Sequence, residues 1–304
     1  MHLYSHPDCV SHETPEGHPE RSERLSFLLE HLEQTGFTQD YPLLEAPPID
    51  EKLIALAHHP ELINRLKQSA PQQGLTPLDP DTWMGAASLS GALYAAGSVW
   101  RGVEDVTKSK ANRVFCAVRP PGHHAEFDSP MGFCLLNSVA IGAINALNLP
   151  NIDRVAIMDF DVHHGNGTVD LCREYPEILV CSSFQHPYYP HRLHDVRAPN
   201  IVNTPLEAGA SGDDFRRAID GSWWQAIEGH RPDLIFISAG FDAHRADPLA
   251  QLNLDASDFA WITAEIVALA NQCSQGRIVS TLEGGYDLRA LADSVLAHLE
   301  ALTV

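Results

Sequence analysis

The chain of 304 residues has no CxxC pair, although it carries six cysteines, at positions 9, 116, 134, 172, 181 and 273. That removes the usual zinc-ribbon and dithiol redox spacings. Several of these cysteines sit inside apolar runs, as reduced buried thiols do. A disulfide framework is therefore not expected, and a cytoplasmic setting is. No run of eighteen apolar residues occurs, so neither a membrane span nor a membrane partner is expected. Residues 1–7 have no basic flank and no apolar core, and no secretory signal is expected there. Basic charge is scarce: 20 Lys and Arg stand against 40 Asp and Glu, a formal net charge of −20. Gripping a phosphate backbone needs a basic footprint, so no nucleic-acid partner is expected. An acidic surface serves solubility and could also attract cationic substrates such as lysine side chains or polyamines. No repeat, low-complexity tract or linker interrupts the sequence. Residues 1–304 therefore read as one domain, with 44% hydrophobic residues and length enough for a large core.

What is present is an alternation of short apolar runs and longer amphipathic stretches. Strands are expected over 114–118, 155–158, 178–181, 234–238 and 278–282. Helices are expected over 20–34, 83–107, 213–228, 257–272 and 288–299, the first from Leu25, Leu28, Leu29 and Leu32 at three- and four-residue spacing. Such alternation implies right-handed βαβ crossovers, hence an α/β fold with a mainly parallel central sheet and helices on both faces. Residues 70–81 and 186–205 read as long loops, which in compact domains are often functional.

The densest chemistry lies in Asp159-Phe160-Asp161-Val162-His163-His164-Gly165-Asn166-Gly167-Thr168. It follows an apolar run, so it reads as a loop at the carboxyl end of a buried strand, the edge where open α/β sheets build sites. Asp161 and His163 are two apart and share a face while the chain stays extended. They could offer a carboxylate oxygen and an imidazole nitrogen to a metal such as zinc. Three other strands also run into polar clusters: Arg119-Pro120-Pro121-Gly122-His123-His124, Ala239-Gly240-Phe241-Asp242-Ala243-His244 and Glu283-Gly284-Gly285-Tyr286-Asp287. By contrast, His58-His59 reads as surface or core filler ahead of a helix starting near Pro60.

Taken in order, RPPGHH, GFCLLN, DFDVHHGNGT, GFDAHRADP and LEGGYD resemble the zinc-dependent histone deacetylase family. That family shares the arginase–deacetylase fold with acetylpolyamine amidohydrolases and acetoin-utilisation proteins. The resemblance runs from His18-Pro19-Glu20-Arg21 to Asp287, and Asn166 and Phe241 look like the class II branch and its bacterial relatives. It implies Asp161, His163 and Asp242 as zinc ligands, with iron(II) as an alternative ion. It implies His124 as general base and His123 as electrostatic and hydrogen-bonding partner to the attacking water, paired with Asn166 and Asp159 respectively. Tyr286 is implied as hydrogen-bond donor to the developing oxyanion. Phe133, with Gly132 before it, and Tyr189 match the walls of an acyl-lysine channel, and Leu249 its rim. Arg21 matches an arginine beneath the site and Asp81 a rim aspartate. Asp159, Asp161, His163 and Ser182 match a structural potassium site.

One segment departs from the family pattern. After Tyr188-Tyr189-Pro190 the chain has His191-Arg192-Leu193-His194-Asp195 where many relatives have a Gly-Thr-Gly turn, so the rim is bulkier and more polar. His191 and His194 read as loop histidines rather than a second metal site. The implied activity is hydrolysis of an acetyl or short acyl amide on a lysine-like amine. An acetylpolyamine or other small-molecule amidohydrolase stays open, favoured by a homo-oligomer that narrows the entrance; so does a non-catalytic acyl-lysine binder. Leucine at 249 weighs against polyamine selectivity.

Overall fold

A computed structural model describes residues 1–304. Ten strands occur in chain order: β1 His2–Tyr4, β2 Leu43–Leu44, β3 Thr76–Pro77, β4 Trp83–Met84, β5 Arg113–Cys116, β6 Val155–Asp159, β7 Ile178–Gln185, β8 Ile201–Leu206, β9 Leu234–Ala239 and β10 Ile278–Leu282. Eight form one sheet in the order β2-β1-β5-β10-β9-β6-β7-β8, every pair parallel. β3 and β4 make a separate antiparallel pair. All residues of β5, β6, β7, β9 and β10 are buried. That is why they read as unbroken apolar runs: both faces are covered by helices and neither meets water.

The chain order in the sheet fixes where a site can form. From β6 the chain moves outward to β7 and β8; from β9 it moves the opposite way to β10. Connections therefore diverge above the β6–β9 pair, whose register brings Asp159 opposite Ser238. A crevice at the carboxyl ends of such a pair is the ligand position of open α/β sheets. The helices Ser88–Thr107, Ser138–Ala146, Ala256–Cys273 and Leu288–Leu302 pack over the sheet, and 76 buried residues join into one core cluster.

Several expected elements differ in extent. The first strand of the 114–118 run stops at Cys116, and the helix expected over 213–228 is two helices, Gly212–Asp220 and Trp223–His230, parted at Gly221-Ser222. The helix expected from 83 begins at Ser88, because Trp83 and Met84 pair with β3. The expected 70–81 loop contributes that β3 strand, and the 186–205 loop ends in β8, an edge strand that tolerates Pro205. His58 is a buried pillar, bonded through Nδ1 to the Glu126 carbonyl (2.9 Å) and accepting from the Asn137 N–H through Nε2 (2.9 Å). His59 caps the Pro60–Ser69 helix by accepting from the Glu61 N–H.

Candidate active site

The turns after β6 and β9 bring Asp161, His163 and Asp242 together, with one ligand atom from each lying within 4.8 Å of the others. They do not converge by strand alternation, the route the two-residue spacing suggests. β6 ends at Asp159, and the next residues turn: the Asp161 N–H donates to Asp159 Oδ1 (3.2 Å) and the His163 N–H to Asp161 Oδ1 (2.8 Å). Such Asx-type bonds let a short polar side chain shape the backbone two residues on. The Val162 N–H then holds Asp242 Oδ1 (2.8 Å), and the Gly284 N–H holds Asp161 Oδ2 (2.8 Å). A Cβ on Gly240 would collide with the Asp161 carboxylate, and one on Gly284 with that of Asp242. The glycines are therefore the walls of a cradle for two buried carboxylates.

Two carboxylates at 0–1% exposure need positive charge beside them. His163 Nδ1 lies 3.1 Å from both Asp161 Oδ1 and Asp242 Oδ2. Burial opposes its charge, yet bonds to these two aspartates raise the imidazole to about 10. The imidazole proton is thus held between two buried carboxylates, a donor set that could accept a divalent ion in its place.

Around this trio stand the tandem histidines. His123 Nδ1 bonds Asp159 Oδ2 (3.0 Å), and its Nε2 lies 3.8 Å from Asp161 Oδ1. Burial works against its charge, but Asp161 and Asp159 hold it well above the ordinary imidazole range. His124 Nδ1 bonds Asn166 Oδ1 (2.6 Å). Burial first, then its neighbours His123 and His163, keep it well below that range. Two adjacent imidazoles are thereby pushed apart, one toward the cation and one toward the free base. Gly132, at φ +57°, has no room for a Cβ because the His124 ring occupies the space.

A cavity of about 170 Å³ is lined by Asp81, His124, Gly132, Phe133, His163, Tyr188, Tyr189, Leu249 and Tyr286. The Tyr189 ring stands edge-on to His124 with centroids 5.2 Å apart, and Phe133 edge-on to Tyr286 at 5.9 Å. Burial pushes the Tyr286 phenol well above its usual pKa, so it stays a hydrogen-bond donor. Its backbone N–H donates to Asp247 Oδ2 (2.6 Å). Asp81 sits half-buried at the rim of this cavity, as does Leu249, whose carbonyl accepts from the Tyr188 hydroxyl.

Arg21 is a correction. It is exposed and faces a surface basin, because the Glu23–Gln34 helix begins after it. The arginine beneath the site is Arg24, fully buried, with Nη2 donating to the Glu283 carbonyl (2.6 Å) and its guanidinium 4.8 Å from the Tyr286 ring centre. Sequence reasoning also passed over Glu20, which bridges Arg24 and Arg119, and Glu283, whose carboxylate receives the Gly122 N–H (2.6 Å) and the His123 N–H (3.2 Å). Glu283 was visible as the first residue after β10, and Glu20 with Arg24 as an i, i+4 pair. Ser182 Oγ is buried without a hydrogen-bond partner, while the Asp159 carboxylate is engaged by His123 and the Asp161 N–H. His191 is exposed, and His194 packs against His186 with ring centres 4.6 Å apart.

Comparison with known proteins agrees with this geometry. The model of the histone deacetylase domain matches residues 18–302. The chain belongs to the histone deacetylase family. An uncharacterized protein of Synechocystis sp. is 37% identical over 99% of this chain and 98% of its own length. A probable deacetylase of Archaeoglobus fulgidus is 32% identical over 93% of this chain and 80% of its own. The crystal structure of the HDA15 HD domain superposes with a TM-score of 0.92 at 29% identity, covering 99% of this chain and 87% of that one. The α/β deacetylase fold and a deacetylase-family hydrolase follow from these matches. No helix is long and apolar enough to cross a membrane.

Proposed function

We propose that this chain is a metal-dependent deacylase that removes acetyl or other short acyl groups from a lysine-like amine. The observation that carries the reading is the narrow cavity whose aromatic walls, Phe133, Tyr188 and Tyr189, end on His124, His163 and Tyr286. Flat walls suit an alkyl chain, and the polar floor suits an amide. Asp161, His163 and Asp242 would hold the ion, and two carboxylates with one imidazole suit zinc or iron(II). When bound, it would polarise the amide carbonyl and make a nearby water more acidic.

The remaining steps belong to the chain. His124 donates its Nδ1–H to Asn166, so its Nε2 carries the lone pair that takes a proton from the attacking water. As the water oxygen bonds to carbon, Tyr286 and the cationic His123 donate to the oxygens gathering negative charge. His124 then delivers its proton to the amine nitrogen as the C–N bond breaks, and the second proton of the former water passes to the amine, leaving a carboxylate and an ammonium. A monovalent cation such as potassium fits the unpartnered Ser182 hydroxyl beside the buried Asp159, Asp161 and His163 cluster.

A second reading, hydrolysis of acetylpolyamines, is favoured by a basin of about 710 Å³ that shares Leu249 and Tyr286 with the channel and is lined by Glu13, Glu16 and Glu23. Initial rates on acetyl-lysine peptides, longer acyl-lysine peptides and acetylated polyamines, each with the Tyr286→Phe variant, decide between them. Peptide turnover that falls about 100- to 1,000-fold in the variant supports the first reading. Preference for polyamines moves the substrate to the second, and turnover of none of them by zinc-loaded protein refutes both.

A further inference from the structure

Behind Asn166 lies a residue that neither the channel nor the metal trio uses. Asn166 Nδ2 donates to Glu126 Oε1 (2.7 Å), and the other oxygen, Glu126 Oε2, meets Arg192 Nη2 at 2.8 Å. Glu126 is 6% exposed, whereas the Arg192 side chain is 55% exposed, three residues after the channel-wall residue Tyr189. Arg192 belongs to the segment that departs from the family pattern, and it stands between His191 and Leu193, both at φ +59°. Left-handed backbone at two non-glycine residues costs free energy and persists only where surroundings hold it. Here it aims the guanidinium back at Glu126.

The consequence follows from donor and acceptor accounting. An asparagine amide can face either way, and by itself it cannot choose a histidine tautomer. An ionised carboxylate accepts only, so Glu126, at 2.7 Å the closest of three acceptors, with the His124 carbonyl at 3.4 Å and Met131 Sδ at 3.2 Å, turns Nδ2 toward itself and Oδ1 toward His124. Oδ1 in turn accepts only, so the His124 proton must sit on Nδ1, leaving Nε2 unprotonated toward the cavity. The Asn166–His124 bond is short at 2.6 Å, and Gly167 beside it has no room for a Cβ against the Ala125 carbonyl. The two strips of chain are thus pressed together and the amide has little freedom to rotate.

The geometry points to Glu126 as the positioning residue that sets the tautomer of His124, with Arg192 as the clamp that ties this setting to the exposed segment following Tyr189. This rests on the general-base reading of His124 given above. In an aspartate-supported histidine the carboxylate fixes the tautomer directly; here an amide does so, and its strongest anchor, Glu126, lies behind it.

The test is a cycle of near-isosteric substitutions in zinc-loaded protein, read by kcat and KM on an acetyl-lysine peptide. Asn166→Asp sets two carboxylates face to face and should lower kcat about tenfold or more with KM little changed. Glu126→Gln lets either amide turn and should lower kcat several-fold. The Asn166→Asp/Glu126→Gln double variant restores one donor between them, and kcat should recover to within a few-fold of wild type. In parallel, ¹⁵N shifts of His124 should report an Nδ1–H tautomer in wild type and a mixture in Glu126→Ala. Arg192→Ala should give a smaller fall in kcat, larger at low than at high salt. Additive losses in the cycle, or an unchanged His124 tautomer in Glu126→Ala, overturn the inference. His124→Ala separates the two levels: if it keeps wild-type kcat, the general-base reading itself fails, whereas its inactivity beside additive losses removes Glu126 alone.

Discussion

Replacing Glu20 with glutamine should cost more stability than any single change at the channel wall. Glu20 is fully buried and carries one negative charge between two buried guanidinium groups, with His12 beside them. Its Oε1 accepts from Arg24 Nη1 (3.0 Å) and Arg119 Nε, and its Oε2 from Arg119 Nη2 (2.7 Å), with His12 Nε2 at 3.2 Å. Burial alone would push this carboxyl up, but Arg119 and His12 hold it well below the usual carboxylate range. Glutamine keeps the shape and removes the charge, leaving two buried guanidinium groups uncompensated. Breaking a buried pair from one side costs about 3–5 kcal/mol. With an unfolding entropy of about 2.1 cal/mol/K per residue, that is a fall in Tm of about 5–8 °C for a chain this long. The denaturation midpoint should drop with an unchanged slope, the sign of lost stability rather than an altered unfolded state. Arg24→Met supplies the contrast. It leaves Arg119 and Glu20 as a balanced pair, so it should destabilise less than Glu20→Gln. It should damage kcat more, because Arg24 holds the Glu283 and Gly285 carbonyls on either side of Gly284. The reverse order of stabilities, or a Glu20→Gln shift below about 1 kcal/mol, would show that the network is not governed by charge balance.

Three further outcomes are expected. Gly132→Ala forces a Cβ onto the His124 ring at a left-handed backbone position, and kcat should fall about 100-fold while the far-ultraviolet spectrum is unchanged; near-normal kcat would show that the ring has room to move. Burial holds His58 at about 4 and His298 at about 3, below the unfolded value near 6.5, so the unfolded state binds protons first as pH falls. The stability these two contribute is complete well above pH 6.5 and drains away as pH falls toward those values; between pH 6 and 5 the pair removes about 2–3 kcal/mol, so a His58→Gln/His298→Gln variant should lose that much less stability than wild type across the interval, and equal losses would refute it. Removing metal with a chelator should lower Tm, and zinc at about 100 times its Kd should restore about 2.7 kcal/mol; Asp242→Ala should abolish that response, and its survival would place the ion elsewhere.

The parts of this molecule that could be read from sequence are those with one dominant constraint. Strands buried on both faces must be apolar throughout, so β6, β9 and β10 were visible as runs, and the polar clusters behind them marked the sheet edge. β8 was hidden because an edge strand need not be apolar: Asn203, Thr204 and Pro205 read as loop. The break at Gly221-Ser222 lay inside an unbroken amphipathic pattern, since both helices bury the same kind of face. Arg21 and Arg24 differ only in where the helix begins, and a boundary shift of three residues decides which arginine lies at the surface and which at the floor of the site. Glu126 gave no signal at all, because its partners Asn166 and Arg192 lie 40 and 66 positions away.

The divergence of connections above β6 and β9 also separates two kinds of change open to this protein. Asp161, His163 and Asp242 stand on short turns at the strand ends, tied to one another by the Val162 N–H on Asp242 and the Gly284 N–H on Asp161. Asp81, Tyr189 and Leu249 stand on irregular loop segments that reach the channel from three separate parts of the chain, the second of them running on into His191–Asp195. Such loops accept insertion and exchange far more readily than strand ends do. Grafting other sequences at the mouth should therefore redirect the enzyme toward new acyl carriers while the hydrolytic floor stays as it is.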